Sequence, residues 1–326
     1  MSSKYSFVLP AYKATFLRES IDSILNQTYK DFELIIVNDA SPEDLSSIVN
    51  SYSDERIQYY INEKNIGGSD LVAQWNHCTK YAKGEYLILA SDDDIYHPEY
   101  LEKMDTLVNK YSEVNVFRPQ IQYVNSKGEL IKGDVGKSPR QNEEYLSQLD
   151  FAYLRFKGEI PSGIPYYILK REKLIDIGGF VNFPTAWFSD DATIICMAKD
   201  GLVIHPETLF SFRHSTLNIS CMRNTFHMMS QKLLATDSFY WWYLAELKTM
   251  KAETIKESRE LDIIRSSLRE EMLKHVHWLI KYSEREASLL SWRILRRLKF
   301  LKLYDYITIY SRVIIEDFIC KLKHKK

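Results

Sequence analysis

Three places in the sequence gather carboxylates in a pattern that suggests chemistry. The sharpest is Leu89-Ala90-Ser91-Asp92-Asp93-Asp94-Ile95-Tyr96-His97-Pro98, three adjacent acids closing a hydrophobic run. Like charges this close repel, and the cluster makes sense where a divalent cation neutralises it. Hard oxygen ligands suit Mg²⁺ or Mn²⁺, and such an ion can bridge to a diphosphate that bare carboxylates would repel. The same residues also suit a helix start ahead of a proline. A second acid closes Ile35-Ile36-Val37-Asn38-Asp39-Ala40-Ser41. A carboxylate accepts the ring N–H of uracil, thymine or guanine, whereas the equivalent cytosine nitrogen is itself an acceptor; Asp39 equally fits an N-cap before Pro42. The third is Trp187-Phe188-Ser189-Asp190-Asp191-Ala192. There an aromatic step that could stack on a sugar face precedes two acids suited to general-base work or to helix capping.

These acids need a scaffold that brings strand ends together. Tyr5–Leu9, Phe32–Asn38, Ile57–Ile61 and Tyr86–Ala90 read as strands, short and rich in β-branched or aromatic residues. Between them Phe16–Gln27, Glu43–Tyr52 and Ser69–Ala82 carry apolar residues at helical spacing, and Tyr100–Tyr111 follows Pro98 as another helix. Such alternation predicts an α/β fold with a mostly parallel sheet, whose ligands bind at the carboxyl ends of the strands.

The middle of the chain is mixed. Asn115–Val124 and Glu129–Ile131 flank a hairpin turn at Asn125–Gly128. Gly158–Pro165 reads as a loop, Tyr166–Leu169 as a strand and Asp190–Lys199 as a helix, with further strands at Leu202–His205 and Thr208–Arg213. From about Thr225 glycine and proline vanish and helical patterns run onward. The organisation predicted is therefore residues 1–222 as a catalytic domain (1–112 and 113–222 as its halves) and 223–326 as a helical region.

Composition limits the class. The 326 residues are 45% hydrophobic and 27% charged, as in folded globular chains. The net charge of −1 gives no whole-chain field for nucleic acid. The four cysteines, Cys78, Cys196, Cys221 and Cys320, are too scattered for a disulfide framework or a thiolate zinc site, which points to a reducing cytoplasm. Pro10 and Lys13 interrupt the early apolar run, so no signal peptide is expected. No run approaches the ~18 uninterrupted apolar residues of a membrane span.

In this order the signatures resemble a family. Pro10-Ala11-Tyr12 after the first strand, Ser23 through Glu33 (SILNQTYKDFE), Val37-Asn38-Asp39-Ala40-Ser41, Asn65-Ile66-Gly67, Gly84-Glu85-Tyr86, the acidic triplet with Pro98, Gly178-Gly179-Phe180 and Asp190-Asp191 are similar to those of family 2 glycosyltransferases over about residues 4–220. The resemblance implies a GT-A fold, a nucleotide-sugar-binding half joined to a mixed-sheet acceptor half. It implies inverting transfer from a nucleoside-diphosphate sugar, UDP-linked by preference, to a hydroxyl of a glycan or lipid-linked acceptor, with Mn²⁺ or Mg²⁺ as cofactor, in bacterial surface-polysaccharide synthesis. Pro10 and Tyr12 would line the nucleotide pocket, Asp39 would hold the base, and Asp92 would sit by ribose and diphosphate. Asp93 would ligate the metal, assisted by Asp94. Asp191 would be the catalytic base, with Asp190 against the acceptor. Phe212-Arg213-His214-Ser215-Thr216 is similar to the family's late basic element, which puts Arg213 near the diphosphate and His214 at the metal. Ser91 and Trp75 depart from the pattern, standing where the family often carries an Asp and a basic residue.

Two other readings compete. A sugar nucleotidyltransferase would need a Gly-rich basic loop after the first strand, which Pro10-Ala11-Tyr12-Lys13 does not supply. An inactive scaffold subunit is disfavoured by acids at all three sites. The C-terminal stretch is basic, with eleven Lys/Arg against four Asp/Glu over residues 285–326. There Ile294, Leu298 and Leu301 share a helical face opposite Arg293, Arg296 and Arg297. Such a helix suits an anionic membrane surface or a protein contact, which predicts a cytoplasmic protein peripheral to the inner membrane face. The aromatic stretch Met228–Leu247 suits core or a homo-oligomer interface.

Overall fold

A computed structural model describes residues 3–136, 143–215 and 224–323. They fall into two compact units: unit 1 is Met1–Asn182 with Ser189–Thr216, and unit 2 is Phe183–Phe188 with Leu217–Lys326.

Unit 1 is built on one ten-stranded sheet. Its strands are β1 (Tyr5–Ala11), β2 (Phe32–Asn38), β3 (Ile57–Ile61), β4 (Tyr86–Leu89), β5 (Ile95–Tyr96), β6 (Val116–Val124), β7 (Leu130–Gly136), β8 (Tyr145–Leu146), β9 (Ile168–Lys170) and β10 (Leu202–Arg213). The order is β3-β2-β1-β4-β9-β6-β10-β5, with β7 on β6 and β8 on β10. β1 to β4 pair in parallel, and so do β6 and β10. β9 runs antiparallel to both β4 and β6, joining the two parallel sets. Every residue of β2 and β4 is buried, as expected where helices cover both sheet faces. The covering helices are α1 (Leu17–Leu25), α2 (Leu45–Val49), α3 (Leu71–Cys78), α4 (Tyr100–Lys110), α5 (Gln148–Phe156), α6 (Arg171–Asp176) and α7 (Ser189–Met197). This is the mixed, mostly parallel α/β architecture that the sequence predicts.

The amino ends of the strands are tied by a buried polar knot. Ser6 Oγ donates to Glu33 Oε1 at 2.6 Å, Gln58 Nε2 to Glu33 Oε2 at 2.7 Å, and Lys83 N to Glu33 Oε1 at 2.7 Å. Gly84 N donates to Ser6 Oγ at 2.8 Å, and a Cβ on Gly84 would stand 2.8 Å from Ser6 N, so only glycine passes here. The knot leaves the opposite, carboxyl ends of the strands free for the acids.

Two expected strands are one: Leu202–His205 and Thr208–Arg213 join as β10, with register shifts around Thr208. Pro206 lacks the N–H a regular ladder needs, so the strand bulges instead of ending.

Unit 2 is helical: α8 (Phe226–Thr249), α9 (Ile255–Lys281), α10 (Arg285–Leu289), α11 (Trp292–Leu295) and α12 (Leu303–Lys323). Thr225 caps α8 through Met228 N, and Thr254 with Glu257 forms a capping box on α9. Phe188 stacks on Phe239 at 4.4 Å, Phe183 meets Phe239 edge-on at 5.9 Å, and Trp187 stacks on Trp278. The aromatic part of α8 thus packs on residues 183–188. The basic stretch does not form one amphipathic helix. α11 stops at Leu295, and Ile294 and Leu298 are packed inside the unit, leaving Arg293, Arg296 and Arg297 exposed.

Candidate active site

The carboxyl ends of β1, β2, β4 and β10 carry Pro10 to Lys13, Asp39, Asp92 to Asp94, and Arg213. Asp92, 7% exposed, accepts the backbone N–H of Tyr12 at 2.9 Å and of Lys13 at 2.8 Å on Oδ2. It therefore shapes the turn after β1 as well as adding charge. The Lys13 ammonium lies 3.4 Å from Asp93 Oδ2 and 3.6 Å from Asp92 Oδ1. Burial raises the Asp92 carboxyl above its ordinary range, with the Lys13 charge opposing that rise. Burial also disfavours the Lys13 charge, but Asp92 and Asp93 outweigh it and hold the ammonium above the usual lysine value.

Asp94 is 1% exposed and pushed up to about 8, first by burial and then by the Asp93 charge. Ser91 Oγ donates to its Oδ2, and Arg213 N to its Oδ1 at 2.8 Å. Arg213 is fully buried. Its Nε donates to Asp93 O at 2.8 Å, its Nη1 to Ser126 O at 3.1 Å and its Nη2 to Glu19 at 2.6 Å, while the guanidinium lies 4.3 Å from the Phe16 ring centre. This arginine braces the backbone of the acidic turn. His214 is exposed, and its N–H donates to Val124 O at 2.7 Å.

Asp39 is 4% exposed and holds the loop after β3. Asn62 Nδ2 donates to Oδ1 at 2.7 Å, Ile66 N to Oδ1 at 2.9 Å and Gly67 N to Oδ2 at 2.7 Å. Three of a carboxylate's roughly four acceptor positions are thereby used. Ala40 follows with φ +49°, a left-handed turn that Ser41 secures by donating from Oγ to Tyr12 O at 2.6 Å. Asp39 and Tyr12 are thus neighbours, and Tyr12 itself is 42% exposed.

Asp190 and Asp191 open α7. The chain reaches them through Thr185, Ala186 and Phe188, all with positive φ, an uncommon run for residues with a Cβ. Arg155 of α5 grips Asp191 in a two-point pair, Nε to Oδ1 at 2.5 Å and Nη2 to Oδ2 at 3.0 Å, and its Nη1 donates to Ile160 O. Burial, then the Asp191 charge, raises Asp190 from 3.8 to about 7, against the pull of Arg155. Burial foremost, and after it the charges of Tyr123, Asp94 and Asp190, push the Tyr166 hydroxyl well above its ordinary range. Gly178 and Gly179 carry positive φ, and a Cβ on Gly179 would stand 2.4 Å from Asn76 Oδ1, the atom that accepts Phe180 N.

The structure thus gathers Tyr12, Asp92, Asp93, Asp94 and Arg213 directly, carries Pro10 on the same strand end and joins Asp39 through Ser41, while Asp190 and Asp191 stand at the start of α7 against Arg155. Lys13 and Arg155 were not singled out from sequence. Lys13 had a signal, a cation in the first strand-to-helix turn. Arg155 had none, lying in a stretch without motifs. Among the described residues no three His, Cys, Asp or Glu side chains converge as a metal cage. The donors nevertheless fit an ion shared with a diphosphate. Mg²⁺-type ions take one or two carboxylates plus phosphate oxygens, and the Lys13 ammonium beside Asp93 shows that this spot draws a cation.

The model of glycosyl transferase family 2 matches residues 6–175, so the chain belongs to that family. It is 40% identical over 112 residues to an uncharacterized glycosyltransferase of Rickettsia typhi, covering 34% of each chain. It is 30% identical over 176 residues to the GalNAc(5)-diNAcBac-PP-undecaprenol beta-1,3-glucosyltransferase of Campylobacter jejuni, covering 52% of this chain and 54% of that one. The chain therefore spans about a third to a half of the length of these curated relatives. Among solved structures, S. aureus TarS residues 1–349 in complex with UDP-GlcNAc superposes with a TM-score of 0.62 at 15% identity, over 94% of this chain and 90% of that one. The mannosyltransferase PcManGT of Pyrobaculum calidifontis, in complex with GDP-Man and Mn²⁺, gives 0.54 at 15% identity, over 100% and 89%. That likeness is one of fold, the GT-A arrangement.

Proposed function

We propose that this protein is a metal-dependent, inverting glycosyltransferase that moves a sugar from a nucleoside diphosphate, UDP by preference, to a hydroxyl of a glycan or lipid-linked acceptor. The observation that carries the reading is the set of buried, mutually repelling carboxylates at the strand ends, Asp92 to Asp94, together with the Asp190–Asp191 pair at the start of α7. Charge this poorly solvated calls for cationic ligands on one side and for proton transfer on the other.

In this reading residues 1–222 form the catalytic part, and Pro10 and Tyr12 flank the base. Asp39 uses its remaining acceptor position for the base N–H. Asp92 sits by the ribose, while Asp93, helped by Asp94 and His214, would hold a divalent ion. When bound, that ion supplies charge stabilisation to the departing diphosphate. Lys13 neutralises the same oxygens, and Arg213 keeps the turn that presents them rigid. The Asp190–Asp191 pair takes the acceptor proton. Arg155 fixes the orientation of Asp191, and the proton affinity of Asp190, near neutrality, matches a general base at physiological pH. A single displacement from the face opposite the diphosphate inverts the anomeric centre, through a transition state of oxocarbenium character.

A lipid-linked acceptor, as the name of the Campylobacter jejuni relative describes for that protein, fits a role in surface-polysaccharide assembly at the cytoplasmic membrane face, with residues 285–326 meeting the membrane. Calorimetric titration with UDP, GDP and dTDP, each with and without Mn²⁺, tests the donor site. One nucleotide should bind in a metal-dependent way, and Asp93→Ala should abolish the metal-dependent part. Equal metal-dependent affinity in Asp93→Ala refutes the role given to Asp93. Absence of binding to all three nucleotides refutes the transferase reading.

A further inference from the structure

α12 is apolar on two opposite faces. Ile309 and Val313 turn inward beside Asp305, whose carboxylate is paired with Arg269, all below 7% exposed, where the helix packs on α9, α10 and α11. The other side shows solvent Leu303 at 75%, Tyr304 at 76%, Ile307 at 52%, Ile314 at 44% and Ile315 at 55% exposure. At 3.6 residues per turn these five positions lie within a stripe of about 120°. A helix apolar on both faces ordinarily has both covered. No described helix is long and apolar enough to cross a membrane, so whatever covers this face lies along it.

Charge identifies the cover. Arg293, Arg296, Arg297, Lys299 and Lys302, all exposed, fill the stretch just before the stripe, and among the described residues none of their charged side chains forms an ion pair with a carboxylate. Arg293 and Arg296 flank the Trp292 ring at 5.6 and 5.5 Å. Five like charges beside the stripe would face their own copies across a symmetric dimer contact and repel. Five apolar side chains also fall short of the roughly 20–30 residues a side of a standard protein interface. An apolar helix face bordered by cations and by a Trp and a Tyr matches the interface of an anionic bilayer.

We infer that unit 2 binds anionic lipid surfaces through the outer face of α12, laid in the plane of the membrane, with the cations of residues 293–302 against the headgroups. The inference rests on the peripheral-membrane reading above and relocates the contact. Ile294 and Leu298, the face expected from sequence, are spent inside the protein.

The test is co-sedimentation of the whole chain with vesicles of about one-third phosphatidylglycerol in phosphatidylcholine, against pure phosphatidylcholine. Binding is expected to the anionic vesicles only, to weaken with salt, and to fall more than about tenfold in Ile307→Asp/Ile314→Asp and in Arg296→Glu/Arg297→Glu. All four positions are exposed, and unchanged thermal melting confirms folding. Full binding by Ile307→Asp/Ile314→Asp overturns the assignment to α12 and leaves peripheral association standing. No binding by the unaltered chain overturns both. Self-association in sedimentation velocity that Ile307→Asp/Ile314→Asp abolishes gives the face to a second copy and overturns the lipid assignment.

Discussion

Asp190 offers a prediction whose size follows from its surroundings. Its carboxyl is raised from 3.8 to about 7, chiefly by burial and next by the neighbouring Asp191 charge. An acid raised on folding leaves stability intact below its unfolded value, and stability is lost as pH climbs through the folded value. The window therefore runs from about pH 4 to about pH 7. At about 1.36 kcal/mol per pH unit the full loss is about 4 kcal/mol. For a unit of this size each kcal/mol moves the melting point by about 2–4 °C, so the ligand-free protein should lose about 8–16 °C across the window from this group. Other acids titrate too, so the measurement is a difference: melting of wild type and Asp190→Asn over the same pH series. The amide keeps an oxygen for Asp191 N–H but has no charge to bury. Wild type should fall relative to the variant as pH rises. Parallel curves would show that Asp190 titrates normally. A wild type that gains relative stability with pH would mean that Arg155 outweighs burial, reversing the argument.

The remaining expectations are briefer. Asp191→Asn should lower kcat by about 10²–10⁴-fold while calorimetric nucleotide affinity stays within a few-fold; loss of both together removes Asp191 from the base role. Arg155→Gln strips two bonds from a buried carboxylate, costing about 3–5 kcal/mol in denaturant unfolding. Because Arg155 pulls Asp190 down, its removal should also move the acid limb of the kcat profile to higher pH. Gly84→Ala pushes a methyl to 2.8 Å from Ser6 N and 2.9 Å from Tyr5 C, which should cost about 1–3 kcal/mol and leave nucleotide affinity unchanged, since Gly84 lies at the far end of the sheet.

Much of unit 1 was legible because its signals are local. Phe32–Asn38 and Ile57–Ile61 are strands to the residue, and the Asn125–Gly128 turn joins β6 and β7 as their pairing requires. What was hidden depends on partners remote in sequence. β5 and β8 have two residues each and exist only by pairing with β10. Ile294, Leu298 and Leu301 recur at helical spacing, but helix α11 ends at Leu295, and periodicity says nothing about which surface a face meets. At the site, the acids announced themselves by clustering. Arg155 reaches Asp191 across 36 residues, and Arg213 reaches Glu19 across 194, distances over which residue type carries no cue.

The six residues 183–188 leave unit 1 for unit 2 and return directly before Asp190. Their ring partners, Phe239, Trp242 and Trp278, all come from beyond residue 222. A protein cut after residue 222 would therefore keep three aromatic side chains stripped of the helical region's rings, on a strained approach to its two acids. The helical region is accordingly not an interchangeable cassette. Swapping it for the tail of a relative, by engineering or by recombination, would require rewriting residues 183–188 in the same event, so the two stretches are bound to be inherited together.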